Sequence, residues 1–206
     1  MVGQGLSIAV MMAPGLLRDS VLTLLNEHAQ WLKVDILTDN FLALRRVLLR
    51  QQVDVVISDV TGRGQWPTEC FDFHRYRQRF YPEVTWLLWS ERLTTLLFRY
   101  ASFSSRPICL PPTLRVHELH YLLYERFSLG HRDFMRNDIS RQASSPPPLS
   151  WQETLVVSHF LFGASSAQVA GFLTCSIKMV SYYKRQAMVK LGVSTDQALF
   201  YLLHTV

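Results

Sequence analysis

Short apolar runs alternate with amphipathic stretches over the first 130 residues of the chain. The amphipathic stretches place leucine and valine at the spacing of a helix with one buried face, as in Leu42–Leu48 and Leu119–Phe127. Strands that alternate with helices in this way form a parallel sheet with helices on both faces. The pattern predicts an α/β domain with a doubly wound, five-stranded parallel sheet, and the strand-like runs are Leu6–Met12, Lys33–Leu37, Val53–Asp59, Val84–Trp89 and Ile108–Leu110.

A different pattern occupies residues 149–206, where serines precede short apolar segments. Ser150 and Glu153 have the spacing of a capping box, in which the serine hydroxyl accepts from the third helical N–H and the glutamate reaches back. Gly163 can adopt the left-handed conformation that ends such a helix. Comparable starts predict an all-α domain of four helices, the later three beginning at Ser165 with Gln168, at Ser176, and at Ser194 with Gln197.

The third of these helices, about Ile177–Leu191, has an apolar stripe and an opposite polar, cationic stripe. A helix fits the major groove of B-DNA, so the polar stripe is a candidate DNA-binding surface. Such a stripe on an isolated helix could equally be a solvated face, but the short helix and tight turn before it favour DNA binding. The apolar stripe holds Val180, Tyr183, Ala187 and Leu191; the polar stripe and its flanks hold Lys178, Ser181, Tyr182, Lys184, Arg185 and Lys190.

This stretch resembles the DNA-binding domain of the LuxR/FixJ family, which it matches without a gap through L-S-W-Q-E, G-A-S-S-A-Q-V-A, S-I-K-M-V and K-L-G-V. The resemblance implies a four-helix helix-turn-helix domain whose third helix enters the major groove. Base edges would then lie nearest Ser181, Tyr182 and Arg185, and phosphates nearest Lys178 and Lys184. The resemblance also implies dimerisation through the last helix, at Leu199, Leu202 and Leu203.

One acid stands where ligands bind in doubly wound sheets, at the carboxyl end of a strand: Asp59 closes V-D-V-V-I-S-D. Here the first domain resembles the receiver domain of response regulators, with Asp59 at the phosphoacceptor position and Ser90 at the switch hydroxyl. The receiver's acidic pair corresponds to residues 11–13, Met-Met-Ala, and its lysine to Pro111. Because magnesium needs oxygen ligands and a phosphoryl group needs a counter-charge, we expect Asp59 to be a vestigial phosphoacceptor position in an interaction domain independent of phosphorylation.

Composition adds limits to this picture. The net charge of +5 and the pI near 9.3 favour an anionic partner. Three widely spaced cysteines are typical of a reduced, cytoplasmic protein. No apolar run reaches about 18 residues, so we expect no membrane span. Walker, nucleophile-elbow and dinucleotide motifs do not occur, and we therefore predict no enzyme and no cofactor.

The predicted organisation is a receiver-like domain over 1–130, a linker over 131–148 and a helix-turn-helix domain over 149–206. The linker ends S-S-P-P-P, which holds a chain extended, so we expect the last domain to be a separate unit. His117 and His120 could share a metal, but without a third ligand we favour solvated or hydrogen-bonded histidines and predict no metal site. The arginines in R-Y-R-Q-R, 75–79, could stack on nucleic acid or form the outer face of an amphipathic helix.

Two functions follow from these observations. The first is a sequence-specific transcription regulator that binds double-stranded DNA as a homodimer, or as a heterodimer with a related response regulator, like the atypical auxiliary regulators of enteric bacteria that it resembles. The second is an interaction protein that sequesters a LuxR-type regulator and binds little DNA itself. The cations of the third helix favour the first, because a sequestering subunit has no physical need for them.

Overall fold

The structure, a computed structural model, describes residues 5–89, 107–111, 113–128 and 148–205. Its first domain contains the predicted five-stranded parallel sheet, in the order β2-β1-β3-β4-β5. The observed strand ends lie within two residues of the predicted ones. The strands are β1 Leu6–Met11, β2 Leu32–Thr38, β3 Val55–Asp59, β4 Thr85–Trp89 and β5 Ile108–Leu110.

Helices cover both faces of this sheet, which confirms the doubly wound fold. Ile8 and Val10 of β1 face a core formed with one pair of helices, whereas Ala9 and Met11 face the other pair. Alternate strand residues therefore enter different cores, as the period of a strand requires. The first pair is α1 Leu16–Glu27 and α4 Val116–Ser128, and the second is α2 Phe41–Leu48 and α3 Pro67–Phe80.

The C-terminal domain contains the four predicted helices: α5 Trp151–Leu161, α6 Ser166–Phe172, α7 Ile177–Lys190 and α8 Asp196–Thr205. The capping boxes at Ser150 and Ser165 are confirmed, and Ser176 caps α7 by accepting from the Met179 N–H. The predicted start of α8 is wrong by one residue, because the Thr195 hydroxyl accepts from the Ala198 N–H at 3.0 Å. The box expected at Ser194 with Gln197 is thus replaced by a threonine cap.

The predicted linker, 131–148, lies outside the described residues except for Pro148. No helix in the described ranges is long and apolar enough to cross a membrane. None of the three cysteines forms a disulfide bond.

Candidate nucleic-acid interface

A tight turn fixes the direction of α7 relative to α6. Thr174 has φ 50°, a left-handed conformation that is uncommon for a residue with a side chain. The next residue, Cys175, donates its N–H to the Ala170 carbonyl at 3.0 Å, and Ser176 then caps α7. Buried Val156, Val169 and Val180 fill the space between the helices. The apolar stripe of α7 is therefore held in a core, and the opposite stripe faces outward.

The outward stripe of α7 contains the side chains that the sequence assigned to base edges and phosphates. Tyr182 is 49% exposed, Lys178 and Arg185 are exposed, and Ser181 is half-buried. Arg185 Nε donates to the Ser181 carbonyl at 3.3 Å, which holds the guanidinium against the preceding turn of the helix. The arrangement presents a guanidinium fork, a hydroxyl and a phenol ring on one surface with an ammonium group nearby.

Lys184 is paired within the domain. Its Nζ lies 2.7 Å from Asp196 Oδ2 and 5.2 Å from the centre of the Phe160 ring. These contacts connect α7 to the first turn of α8 and to α5. Lys184 therefore helps to hold the helices together, in addition to the phosphate contact that the resemblance implies.

Lys190 connects the end of α7 to the start of α5. Its Nζ lies 2.8 Å from Glu153 Oε2, and the same carboxylate oxygen accepts from the Ser150 N–H at 2.6 Å. Burial alone would raise the pKa of Glu153, but the hydrogen bonds from Lys190 and Ser150 and the charge of Lys190 lower it below its usual value. Lys190 also donates to the Pro148 carbonyl at 3.4 Å. One ammonium group thus joins three parts of the chain.

The last helix requires a correction to the predicted dimer contacts. Leu199 is only 3% exposed and belongs to the core, so it offers almost no surface to a second copy. Leu202 is half-buried, and the side chain of Leu203 lies outside the described residues. The exposed aromatic side chains of α8 are Phe200 and Tyr201, at 41% and 70%. Sequence reasoning missed them because leucine spacing alone does not show which side of a short helix faces the core.

The surroundings of Asp59 contain buried apolar side chains where a receiver has its acidic pair. Met11 and Met12 are 0% and 2% exposed, and Asp59 Oδ1 accepts from the N–H of Val60 at 2.6 Å. Gly62 brings the loop after β3 against the loop after β2, since a Cβ there would lie 2.7 Å from the Asp39 carbonyl. Pro111 is exposed, and Ser90 lies outside the described residues.

The two histidines considered as metal ligands, His117 and His120, have different surroundings. His120 stacks on His28 with ring centres 3.7 Å apart, and His117 is exposed. In the described part of the chain, no three side chains of His, Cys, Asp or Glu gather as metal ligands would.

The two domains contact each other, which corrects the expectation of a separate C-terminal unit. Arg75 lies over the Trp151 ring at 4.6 Å, and the apolar core on the α2–α3 face continues into the C-terminal domain. Arg77 is 2% exposed and donates to the Val84 carbonyl, and its burial lowers its pKa to about 10. Of the arginines in R-Y-R-Q-R, Arg75 thus takes part in the domain contact and Arg77 lies in the core. The contact residues are Trp66, Thr68, Phe71 and Arg75 of the first domain and Trp151, His159 and Phe172 of the second.

Comparison with known proteins identifies the type of the C-terminal domain. Residues 147–203 match the family described as bacterial regulatory proteins, luxR family. The C-terminal domain is of the luxR type. No protein with a curated description matches the chain.

Solved structures similar to the whole chain include RcsB from Salmonella enterica serovar Typhimurium bound to promoter rprA, with TM-score 0.74 and 22% identity over 98% of this chain and 100% of that one. Another is the Salmonella typhimurium RcsB response regulator, with TM-score 0.71 and 21% identity over 99% of each chain. A third is a two-component response regulator RcsB–DNA complex, with TM-score 0.70 and 20% identity over 98% and 100%. The chain thus shares the fold of these proteins.

Proposed function

We propose that the protein is a transcription regulator that binds double-stranded DNA through α7. The observation that carries this proposal is the exposed stripe of Lys178, Tyr182 and Arg185, presented by a luxR-type domain whose caps and core fix the helix. Among the solved structures of similar fold, one is of RcsB bound to promoter rprA and another is an RcsB–DNA complex, which agrees with the proposal.

The side chains of α7 divide into two kinds. Arg185 has a planar fork that can donate two hydrogen bonds to guanine O6 and N7, with Ser181 and Tyr182 beside it. Lys178 is a point charge suited to a phosphate. Lys184 and Lys190 can add positive potential, but their ammonium groups already hold Asp196 and Glu153. Arg185, Ser181 and Tyr182 would determine sequence preference, and the lysines would contribute affinity.

Phosphorylation would have no part in this activity. The apolar Met11 and Met12 beside Asp59 offer no ligand to magnesium, and Pro111 offers no counter-charge to a phosphoryl group. The protein would act as a homodimer or as a heterodimer with a related response regulator, and Phe200 and Tyr201 supply exposed aromatic surface for that contact.

Binding of the full chain to promoter fragments, alone and mixed with candidate response regulators, tests the proposal by fluorescence anisotropy. Arg185→Ala should weaken the best site by about 1 to 3 kcal/mol and relax preference at one base pair. Arg46→Ala, which removes an exposed arginine from α2, is the matched control and should leave affinity unchanged. Equal losses in both variants would show that α7 does not read the sequence.

The sequestering function remains the second candidate, and the pairing of Lys184 and Lys190 favours it, because paired ammonium groups leave fewer cations for phosphates. It predicts that the chain lowers the DNA affinity of a LuxR-type partner. If the mixture binds DNA more weakly than the partner alone, and Arg185→Ala changes nothing, this second function replaces the first.

A further inference from the structure

A histidine lies in the middle of the contact between the two domains. His159 of α5 is 0% exposed, and its ring stacks on Phe172 of its own domain with centres 5.1 Å apart. From the first domain, the Trp66 ring approaches it to 5.7 Å, and the Thr68 hydroxyl forms a hydrogen bond with Nε2. The imidazole therefore contacts both domains at once, with aromatic rings around it and a single hydrogen bond.

Protonation of this ring would leave a charge without compensation. A neutral imidazole has one N–H, whereas the protonated ring has a donor on each nitrogen. His159 Nδ1 is buried and has no hydrogen-bond partner among the described residues. Burial also lowers the pKa of His159, and no charged group contributes to that shift.

Ionisable groups on the packed elements are engaged in other contacts, buried in the first domain, or exposed. Helix α6 contains none. On α3, Glu69 accepts from the Trp66 N–H at 3.0 Å, and Asp72 and Arg75 are exposed. Further along α3, Cys70, His74 and Arg77 are buried in the first domain, where the His74 ring lies 5.0 Å from that of Trp86 and Arg77 donates to the Val84 carbonyl, and Arg79 is exposed. Lys178 and Arg185 of α7 are exposed as well. The ion pairs join Glu153 of α5 to Lys190 of α7, and Lys184 of α7 to Asp196 of α8.

We propose that this contact is a proton-controlled domain docking device, in which neutral His159 holds α5 and α6 against α3 and protonated His159 releases them. Docking buries the imidazole between Trp66 and Phe172, and undocking exposes it to water. Only the undocked protein can then accept the proton without losing solvation.

The direction of the pH effect follows from linkage. The docked state has the lower pKa, so docking is fully favourable above the ordinary value of 6.5 and weakens as the pH falls below it, until the pKa of the docked state is reached. At a pH about one unit below this ordinary pKa, the histidine is protonated in about ten of eleven undocked molecules. The docking equilibrium constant should therefore fall about tenfold when the pH is lowered from about 7.5 to about 5.5.

Hydrogen exchange of the full chain, measured by mass spectrometry and corrected for intrinsic rates, tests this without DNA. Protection of α5 amides should fall about tenfold at the lower pH relative to amides of β1 and β3. His159→Gln keeps a hydrogen-bonding side chain but cannot gain a charge, and its α5 protection should not change between the two pH values. His117→Gln, at an exposed histidine of α4, is the matched control and should behave as the unaltered chain.

A variant in the other domain covers the case in which His159→Gln does not fold. Thr68→Val removes the hydrogen bond from α3 and should lower α5 protection at both pH values while the tenfold pH effect persists. The proposal is overturned if the unaltered chain shows no pH effect on α5, if His159→Gln retains that effect, or if Thr68→Val leaves α5 protection unchanged.

Discussion

Replacing Lys190 with methionine distinguishes a lysine that binds DNA phosphates from one that holds the domain together. Its Nζ lies 2.8 Å from a Glu153 carboxylate that is only 7% exposed, while the lysine side chain is 29% exposed. Removing one member of a fully buried pair costs about 3 to 5 kcal/mol, and an exposed pair contributes at most about 1. This pair is intermediate, so Lys190→Met should lower the free energy of unfolding by about 2 kcal/mol.

Thermal unfolding followed by circular dichroism measures this loss, which for a chain of this size should appear as a fall in Tm of about 4 to 8 °C. Since the pKa of Glu153 is lowered in the folded state, the stabilisation is present above its ordinary value of 4.5 and is lost as the pH falls through the folded value. The difference between Lys190→Met and the unaltered chain should therefore shrink in acid.

Lys178→Met is the matched control, because Lys178 is exposed on the same helix and has no ion pair in the described residues. It should leave Tm unchanged and reduce the slope of log K against log salt by about 0.9 per subunit. If Lys190→Met instead keeps the normal Tm and reduces the salt slope by that amount, the structural role assigned to the ion pair is wrong.

Three further predictions use other contacts. Leu199→Asp should lower the free energy of unfolding of the C-terminal domain by about 3 kcal/mol or more, measured by urea unfolding. Tyr201→Asp should leave stability nearly unchanged and reduce dimerisation, measured by sedimentation. The reverse result would restore Leu199 as a dimer contact. Thr195→Ala should cost about 1 kcal/mol and Ser194→Ala almost nothing, so equal costs would contradict the cap at Thr195. Asp59→Asn should retain DNA binding, and acetyl phosphate with magnesium should label neither form; label that disappears in the variant would refute this.

Local signals in the sequence were sufficient to predict most of α7 and its surroundings. The caps at Ser150, Ser165 and Ser176 depend on residues three positions apart, and the stripes of α7 depend on helix geometry alone. Leu199 was assigned wrongly because its environment is set by helices distant in the sequence. The misplaced start of α8 reflects two adjacent hydroxyl residues that can both serve as caps.

Contacts between distant residues explain what the sequence could not predict. Thr68 and His159 are 91 positions apart, and no sequence motif that contains one of them predicts contact with the other. The proline-rich segment before Leu149 indicated separation, but an extended connection does not determine whether the domains that it joins also touch. The arginines of R-Y-R-Q-R were similarly ambiguous, since a partner such as Trp151 becomes visible only when both domains are folded.

The loop that follows Asp59 is short and firmly anchored, and this gives the first domain a mechanical route to the second. Gly62 fixes its middle against Asp39, and Trp66, seven residues after Asp59, packs on Phe172 with ring centres 4.7 Å apart. A displacement at the end of β3 would shift Trp66 and, through its ring contact, Phe172 at the end of α6. This end of α6 lies next to the turn that orients α7. Such a movement would reach α7 through the contact between the domains rather than along the chain that connects them.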